Sequence, residues 1–340
     1  MKKLLLILLM SFTVVQIYAQ SFDLDQMQQI WRPRIKADFR YLGSAKFADT
    51  SGSFSTLDQS CVITFPIKTK FSAGLELDLS SIKLKDILKN SISVKASQVM
   101  GSVKFGAKQM HMGLDSMNNR NLYYANAGVF GLKLTKKYRV LFYSVNAGFN
   151  EQQQTLKSMG LRSSGVIGQF HIRGLRKNYY YGLAAVYGDR AFIPVPFFGG
   201  TQPINDRMTF NYTLPAQMYV QYNINGKNSL SAGVTLDGYR YGMEYKNQRV
   251  NFNYASVALF TTYKVKVNKS FGFRVNGGYN AVQYVKFTEI DKTKTTYQLK
   301  PGFFVEAGFY TLFGKNLFEQ IVQAIDQDGL IRMMNPDFSK

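Results

Sequence analysis

A period of two runs through most of the chain. Between Met208 and Ile224, the residues Phe210, Tyr212, Leu214, Ala216, Met218, Val220, Tyr222 and Ile224 share one parity. Asn211, Thr213, Pro215, Gln217, Tyr219, Gln221 and Asn223 take the other. Side chains of a strand alternate between its two faces, so the stretch reads as one strand with an apolar and a polar side. Ile35, Ala37, Phe39 and Tyr41 oppose Lys36, Asp38 and Arg40 in the same way, and Phe71 to Leu79 oppose Ser72, Gly74, Glu76, Asp78 and Ser80. The alternation returns in Leu230 to Asp237, Phe271 to Asn280 and Tyr297 to Phe309. Segments of this length suit tilted strands that cross a hydrocarbon layer.

Charged residues on the inward face would ruin the dry core of a soluble sandwich, yet they suit a wet lumen. The pattern therefore predicts an all-β, transmembrane, antiparallel up-and-down β-barrel of about 14 strands, with 12–16 as the range. A soluble periplasmic sandwich or barrel is the alternative. Short connections read at Lys68-Thr69-Lys70, Thr135–Lys137, Leu175–Lys177, Asn225–Asn228 and Val267–Lys269. Asn225-Gly226 is the strongest hairpin signal among them, because both residues tolerate positive φ. Long connections read at 43–55, 81–91, 109–121, 151–162, 188–207, 239–247 and 286–295. In such barrels short turns face the periplasm and long loops the exterior. To keep the strand number even, residues 90–121 must hide a second strand, obtained by splitting Ile92 to Lys108.

The 188–207 connection contains "FIPVPFFGGTQPINDRM". Its prolines fix φ and remove amide donors, and Gly199-Gly200 permits a reversal. The apolar run Ile193, Pro194, Val195, Pro196, Phe197, Phe198, Gly199 and Gly200 would sit badly in water. The expectation is a loop folded over or into the barrel mouth as a constriction.

The ends divide the chain further. Residues 1–19 carry Lys2 and Lys3, an apolar run from Leu4 to Val15 and a small residue, Ala19, which is the grammar of a signal peptide. Residues 20–33 read as an N-terminal periplasmic segment, 34–313 as the barrel, and 314–340 as a periplasmic tail. Leu317, Ile321 and Ile325 recur at helical spacing in that tail. Export to the cell outer membrane is the implied destination.

Composition sharpens this picture. Aromatic residues make up 15% of the chain, although its mean hydropathy is only −0.16. That combination suits interfacial girdles. The net charge is +21, from 42 Lys and Arg against 21 Asp and Glu. For an exported chain this points away from nucleic acid and towards outer-membrane lipid, lipopolysaccharide phosphates or small anionic solutes. The basic turns add the same preference at the inner-leaflet headgroups.

Chemistry-bearing residues are sparse. Cys61 is the sole cysteine, and His111 and His171 are the only histidines, so metal-ligand spacing is lacking. No serine has an oriented base, and no glycine loop cradles a phosphate. The sequence predicts no catalytic residue, no cofactor and no enzyme. The expected lumen charges are Lys36, Arg40, Glu76, Asp78, Lys104, His171, Arg173, Asp237, Arg274, Lys300 and Glu306. They either pair and fill the interior or set a field across a pore.

The stretch from Ile193-Pro194 through Gly199, Asn205-Asp206, Leu214-Pro215 and Asn225 to Asn228 resembles a family of uncharacterised Gram-negative outer-membrane β-barrel proteins of unknown function. The signal-plus-barrel plan is also similar to the PorP/SprF-type secretion-associated barrels, but their early Asn-Pro-Ala-Tyr-like motif is missing. The readings that follow are a pore or transporter for small anionic solutes, or a structural or secretion-system barrel that docks periplasmic or secretion-system proteins. A lipid-modifying enzyme based on His171 is a third.

Overall fold

The computed structural model describes residues 33–75, 92–114, 118–135, 139–158, 160–173, 177–188, 191–268, 270–289 and 293–313. The expected signal peptide, the 20–32 segment, the 314–340 tail, Glu76 and Asp78 lie outside the described residues.

The strands follow one another round a wall. They are β1 (Arg34–Lys46), β2 (Ser53–Leu75), β3 (Ile92–Met112), β4 (Asn119–Thr135), β5 (Arg139–Gln152), β6 (Arg162–Ile172), β7 (Asn178–Gly188) and β8 (Ala191–Pro203). Then come β9 (Met208–Leu214), β10 (Gln217–Asn223), β11 (Asn228–Tyr245), β12 (Gln248–Lys266), β13 (Phe271–Thr288), β14 (Lys294–Leu299) and β15 (Gly302–Leu312). Neighbours pair antiparallel, and β1 pairs with β15 to close the ring. Both β14 and β15 pair with β13, one on each half of its length, so together they make one wall strand. The result is a closed barrel of 14 strands, as the alternation predicts. We call the end where β1 starts and β15 finishes the terminal end, and the opposite one the distal end.

Alternate residues divide the wall as expected. Phe39, Phe105, Val129, Tyr143, Ile167, Leu183, Leu259 and Phe303 are large, apolar and exposed on its outside. This is the band a hydrocarbon layer would cover.

Several expected boundaries change. The stretch Met208–Ile224 is two strands, not one: β9 and β10 form a hairpin that reverses at Pro215-Ala216. Thr213 pairs with Gln217, so three residues make the reversal, partners keep the same parity, and the apolar face continues through it without a break in the pattern. Lys68-Thr69-Lys70 is not a turn but lies inside β2, just after an irregularity between Pro66 and Lys68. A bulge is where a strand tolerates proline. With β2 unbroken no second strand is needed, and Ile92–Met112 is a single strand. The ladder between β2 and β3 continues to Leu75 and Ile92, eleven residues beyond the last β1 partner, Thr64. The assignment of long connections to one end also fails in part. Residues 239–245 belong to β11, and the distal reversals between Thr213 and Gln217 and between Tyr245 and Gln248 take three and two residues.

The largest correction concerns the expected constriction loop. Ile193 to Gly200 is not a loop in the mouth but part of β8, paired with β7 from Asn178↔Thr201 to Gly188↔Ala191. On its other side β8 meets β9 only from Phe198 to Pro203. Pro194 and Pro196 lie above that contact. The ladder to β7 runs unbroken through Val195↔Ala184, so its bonds come from the odd positions. The proline nitrogens then face the edge that, among the described residues, carries no strand, where a missing N–H costs no ladder bond.

Three terminal turns share one construction. The Asn225 side-chain oxygen accepts from the amides of Lys227 (2.9 Å) and Asn228 (2.8 Å). Asn205 does so with Arg207 and Met208, and Asn268 with Ser270 and Phe271. An Asn that satisfies two turn amides mimics a further backbone turn. Asn225→Ala should therefore destabilise the folded barrel by ~1 kcal/mol. A urea titration in lipid with an unchanged midpoint would show that the turn forms without this cap.

Two apolar clusters sit inside. One lines β4 to β8 and includes Leu132, Val140, Phe142, Val166, Tyr180, Val195 and Phe197. It depends on a glycine pair in register, Gly168↔Gly182. A Cβ on Gly182 would approach the Phe197 ring at 2.6 Å and the Gly168 backbone at 2.8 Å, so only glycines leave room for the flat rings. Gly182→Val should cost ~1–3 kcal/mol through overpacking; an undisturbed melting profile would refute this. The other cluster fills the distal end.

Candidate functional site: a charged chamber under an aromatic roof

The distal cluster joins opposite walls. Phe54 of β2 stacks on Tyr254 of β12 with ring centroids 5.6 Å apart, and Tyr124 of β4 meets Tyr241 of β11 edge-on at 6.3 Å. Neither pair belongs to neighbouring strands, so the contacts cross the lumen. Phe54, Met112, Leu122, Met243, Phe252 and Phe287 are almost wholly buried around them. Together they form a roof.

The roof is carried by the β11–β12 hairpin, which leaves the wall to make it. Past Thr235, the last residue paired with β10, β11 crosses to β5, where Gly242 bridges Glu151. The Asn150 amide donates to the Arg240 carbonyl, and the Glu244 amide to the Gln152 side chain at 2.9 Å. Glu151 is fully buried and anchors the junction. It accepts from Arg249 at 2.9 Å, from the Thr155 hydroxyl at 2.8 Å and from the Gly160 amide at 3.1 Å. Gly242 lacks a Cβ where one would strike this carboxylate.

Beneath the roof lies a chamber of roughly 300 Å³. Six basic side chains line it (Lys36, Arg40, Lys104, Lys108, Lys264 and Arg274) against four acidic ones (Asp38, Asp58, Asp237 and Glu306). The alternation of β1 and β13 projects four of them inward, and β2, β3, β11, β12 and β15 supply the rest. Asp38 lies 3.0 Å from Lys36 and 3.1 Å from Arg274, and Arg274 also bonds Glu306. Arg40 pairs with Asp237. Lys108 lies 3.1 Å from Asp58, which also accepts from the Tyr124 hydroxyl at 3.0 Å. The Lys108 ammonium stands 3.3 Å from the centre of the Tyr239 ring, tying the charged network to the roof by a cation–π contact. Such a network holds a fixed electrostatic pattern in a confined, polar space, with basic groups in excess.

The expected lumen charges separate accordingly. Lys36, Arg40, Lys104, Asp237, Arg274 and Glu306 come together in the chamber. His171 does not. It shares its parity with exposed Ile167 and stacks on Tyr179 at 4.5 Å and Tyr181 at 5.5 Å, on the outside of the wall at the terminal end. Arg173 goes with it, over the Tyr179 ring. The inward face of β6 carries Val166 and Phe170 instead, because the local phase is opposite to the one expected. Lys300 is exposed at the break between β14 and β15 and is not among the chamber residues. That break shifts the phase: Tyr297 and Leu299 pack inward at the roof, whereas Phe303 and Val305 face out.

Sequence reasoning missed Asp58 and Lys108 as site residues, and Glu151 altogether. Lys104, Lys108, Met110 and Met112 share a parity in one long strand, a signal hidden by splitting it. Nothing local marks Glu151, whose partners lie up to 98 residues away. Among the described residues, no group of His, Cys, Asp and Glu could hold a metal ion.

The fold is similar to that of solved outer-membrane barrels. The COG4313 outer membrane channel from Pseudomonas putida F1 matches at 8% identity and a TM-score of 0.41, covering 83% of this chain and 96% of that one. The β domain of the Bordetella autotransporter Brka matches at 7% identity and a TM-score of 0.36, covering 83% and 100%. No curated protein matches the sequence. The family model that does match describes a domain of unknown function and spans residues 15–314, so the chain belongs to the DUF6268 family.

Proposed function

We propose that the protein is an outer-membrane channel that admits small anionic solutes to the chamber from its terminal, periplasmic side, with the roof as its closed gate. The observation that carries this reading is the chamber itself, a polar space with six basic and four acidic lining residues beneath an apolar seal. An excess of fixed positive charge in a confined lumen favours anions. The exposed apolar band supports placement in the outer membrane, and the inward turn of charge along β1 and β13 supports a wet interior. No catalytic step is assigned. His171, the base a lipid-modifying enzyme would need, stacks on tyrosines beside Gln169 on the outer face.

Planar-bilayer recording tests the reading. The native barrel should show small, infrequent openings, and a variant with the hairpin released should conduct with a reversal potential displaced towards that of chloride. Cation selectivity, or silence from a folded and released barrel, would overturn it.

A further inference from the structure

Among the described residues, the short β9–β10 hairpin leaves the barrel with a side opening. It rises only to Pro215-Ala216, where Leu214 pairs with Phe198 and Gln217 with Thr235. Above it, β8 continues to Ala191 with a ladder on the β7 side alone. Across the opening, the Leu236 amide still bonds the Ala216 carbonyl at 2.8 Å, and beyond it β11 runs from Asp237 to Tyr241 with β12 on one side and, among the described residues, no strand on the other, until Gly242 reaches β5. The wall is therefore bounded here by two strand edges, the hairpin tip below and the β5–β11 junction above.

Two further observations give this opening a use. First, the chamber extends to it. Gln217, Thr235, Asp237 and Gly238 line the chamber at the hairpin tip and the adjoining edge of β11. Gly238 has no side chain, so the space meets the β11 backbone itself at this edge. Second, its two sides differ in chemistry. The inner face of β8 offers Val195 and Phe197, and its outer face Phe192 and Phe198, 65% and 55% exposed. The chamber side offers the Arg40–Asp237 pair with Lys108 and Lys104 behind it.

We propose that this gap is a lateral portal through which a single-chain amphiphile with an anionic head passes between the membrane and the chamber. The chain lies along the apolar face of β8 while the head exchanges its membrane surroundings for the chamber's basic side chains. Pro194 and Pro196 suit such a boundary, because their nitrogens offer no donor to a passing chain or to an intruding strand. The inference rests on the chamber reading above and extends its solutes from water-borne anions to membrane-borne ones.

The test uses the full protein in nanodiscs containing a diazirine-bearing fatty acid, with adducts mapped after irradiation. Labelling of Val195, Phe197 or the Thr235–Gly238 segment, in addition to the outward Phe192 and Phe198, is the expected result. Lengthening the hairpin by two residues on each strand, which keeps its parity and raises its tip, should abolish the inward adducts and leave the outward ones. Adducts confined to outward residues, or inward adducts that survive in a folded lengthened variant, would overturn the portal. Should that variant not fold, the native adduct map decides alone. Chloride conductance of the released barrel is scored separately. A conducting chamber without inward label sinks the portal only, and inward label without conductance sinks the aqueous reading only.

Discussion

Glu151→Ala should open the distal end of the barrel and destabilise it by about 3 kcal/mol, the lower end of what removing one member of a buried ion pair costs. The carboxylate is fully buried and gathers three groups at the junction of β5 with the hairpin: Arg249 of the β11–β12 hairpin, Thr155 of the 3-10 turn Gln153–Ser158 and the Gly160 amide. Without it the Thr155 hydroxyl and the Gly160 amide lose a buried acceptor. Arg249, 31% exposed, can turn to water, which is why the lower figure applies. Bilayer conductance should rise as the roof detaches, and the urea midpoint should fall. Glu151→Gln keeps an acceptor and should show a smaller change in both. A Glu151→Ala barrel with native stability and native current would mean that the roof stands without its anchor.

Phe54→Ala should cost ~3–5 kcal/mol, the range for truncating a buried aromatic ring. The ring is wholly buried, stacked on Tyr254 and 6.2 Å from Phe252, and it is the main contribution of β2 to the roof. Its removal leaves a cavity between two walls rather than within one, so increased conductance should accompany the lost stability. Phe65→Ala supplies the contrast. Phe65 is 42% exposed on the outside of the same strand, and its truncation should leave conductance unchanged. Equal effects from the two would place the seal elsewhere.

The barrel was legible because alternation is local: each strand states its own two faces. Direction of travel is not local in the same way. Phe210 to Ile224 keeps perfect parity across the reversal at Pro215-Ala216, so the pattern that revealed the strands concealed a turn between them. Pro194 and Pro196 misled for a related reason. Proline forbids a central strand but not one with an open edge, and whether an edge is open depends on where β9 stops. Two of the three Asn-capped terminal turns, at Asn225 and Asn268, were legible as short turns. Ile204-Asn205, Ile224-Asn225 and Val267-Asn268 are the same signal three times, and only the first was absorbed into a supposed loop. The chamber was readable in β1, β11 and β13, where phase was right. It failed at His171 and Lys300, where the phase shifts, and at Glu151, whose meaning comes from chain far away in sequence.

The long β2–β3 ladder has a consequence for reach. The β3–β4 ladder ends at Ser97↔Lys133, level with Lys70, so among the described residues the two strands run without a third from Phe71 to Leu75, about 16 Å at ~3.3 Å per residue. Lys68 and Lys70 stay level with the end of β4, and the ribbon runs on beyond them. It gives a protein otherwise confined to the membrane an arm into the adjoining aqueous layer, where encounters are set by distance from the bilayer rather than by diffusion within it.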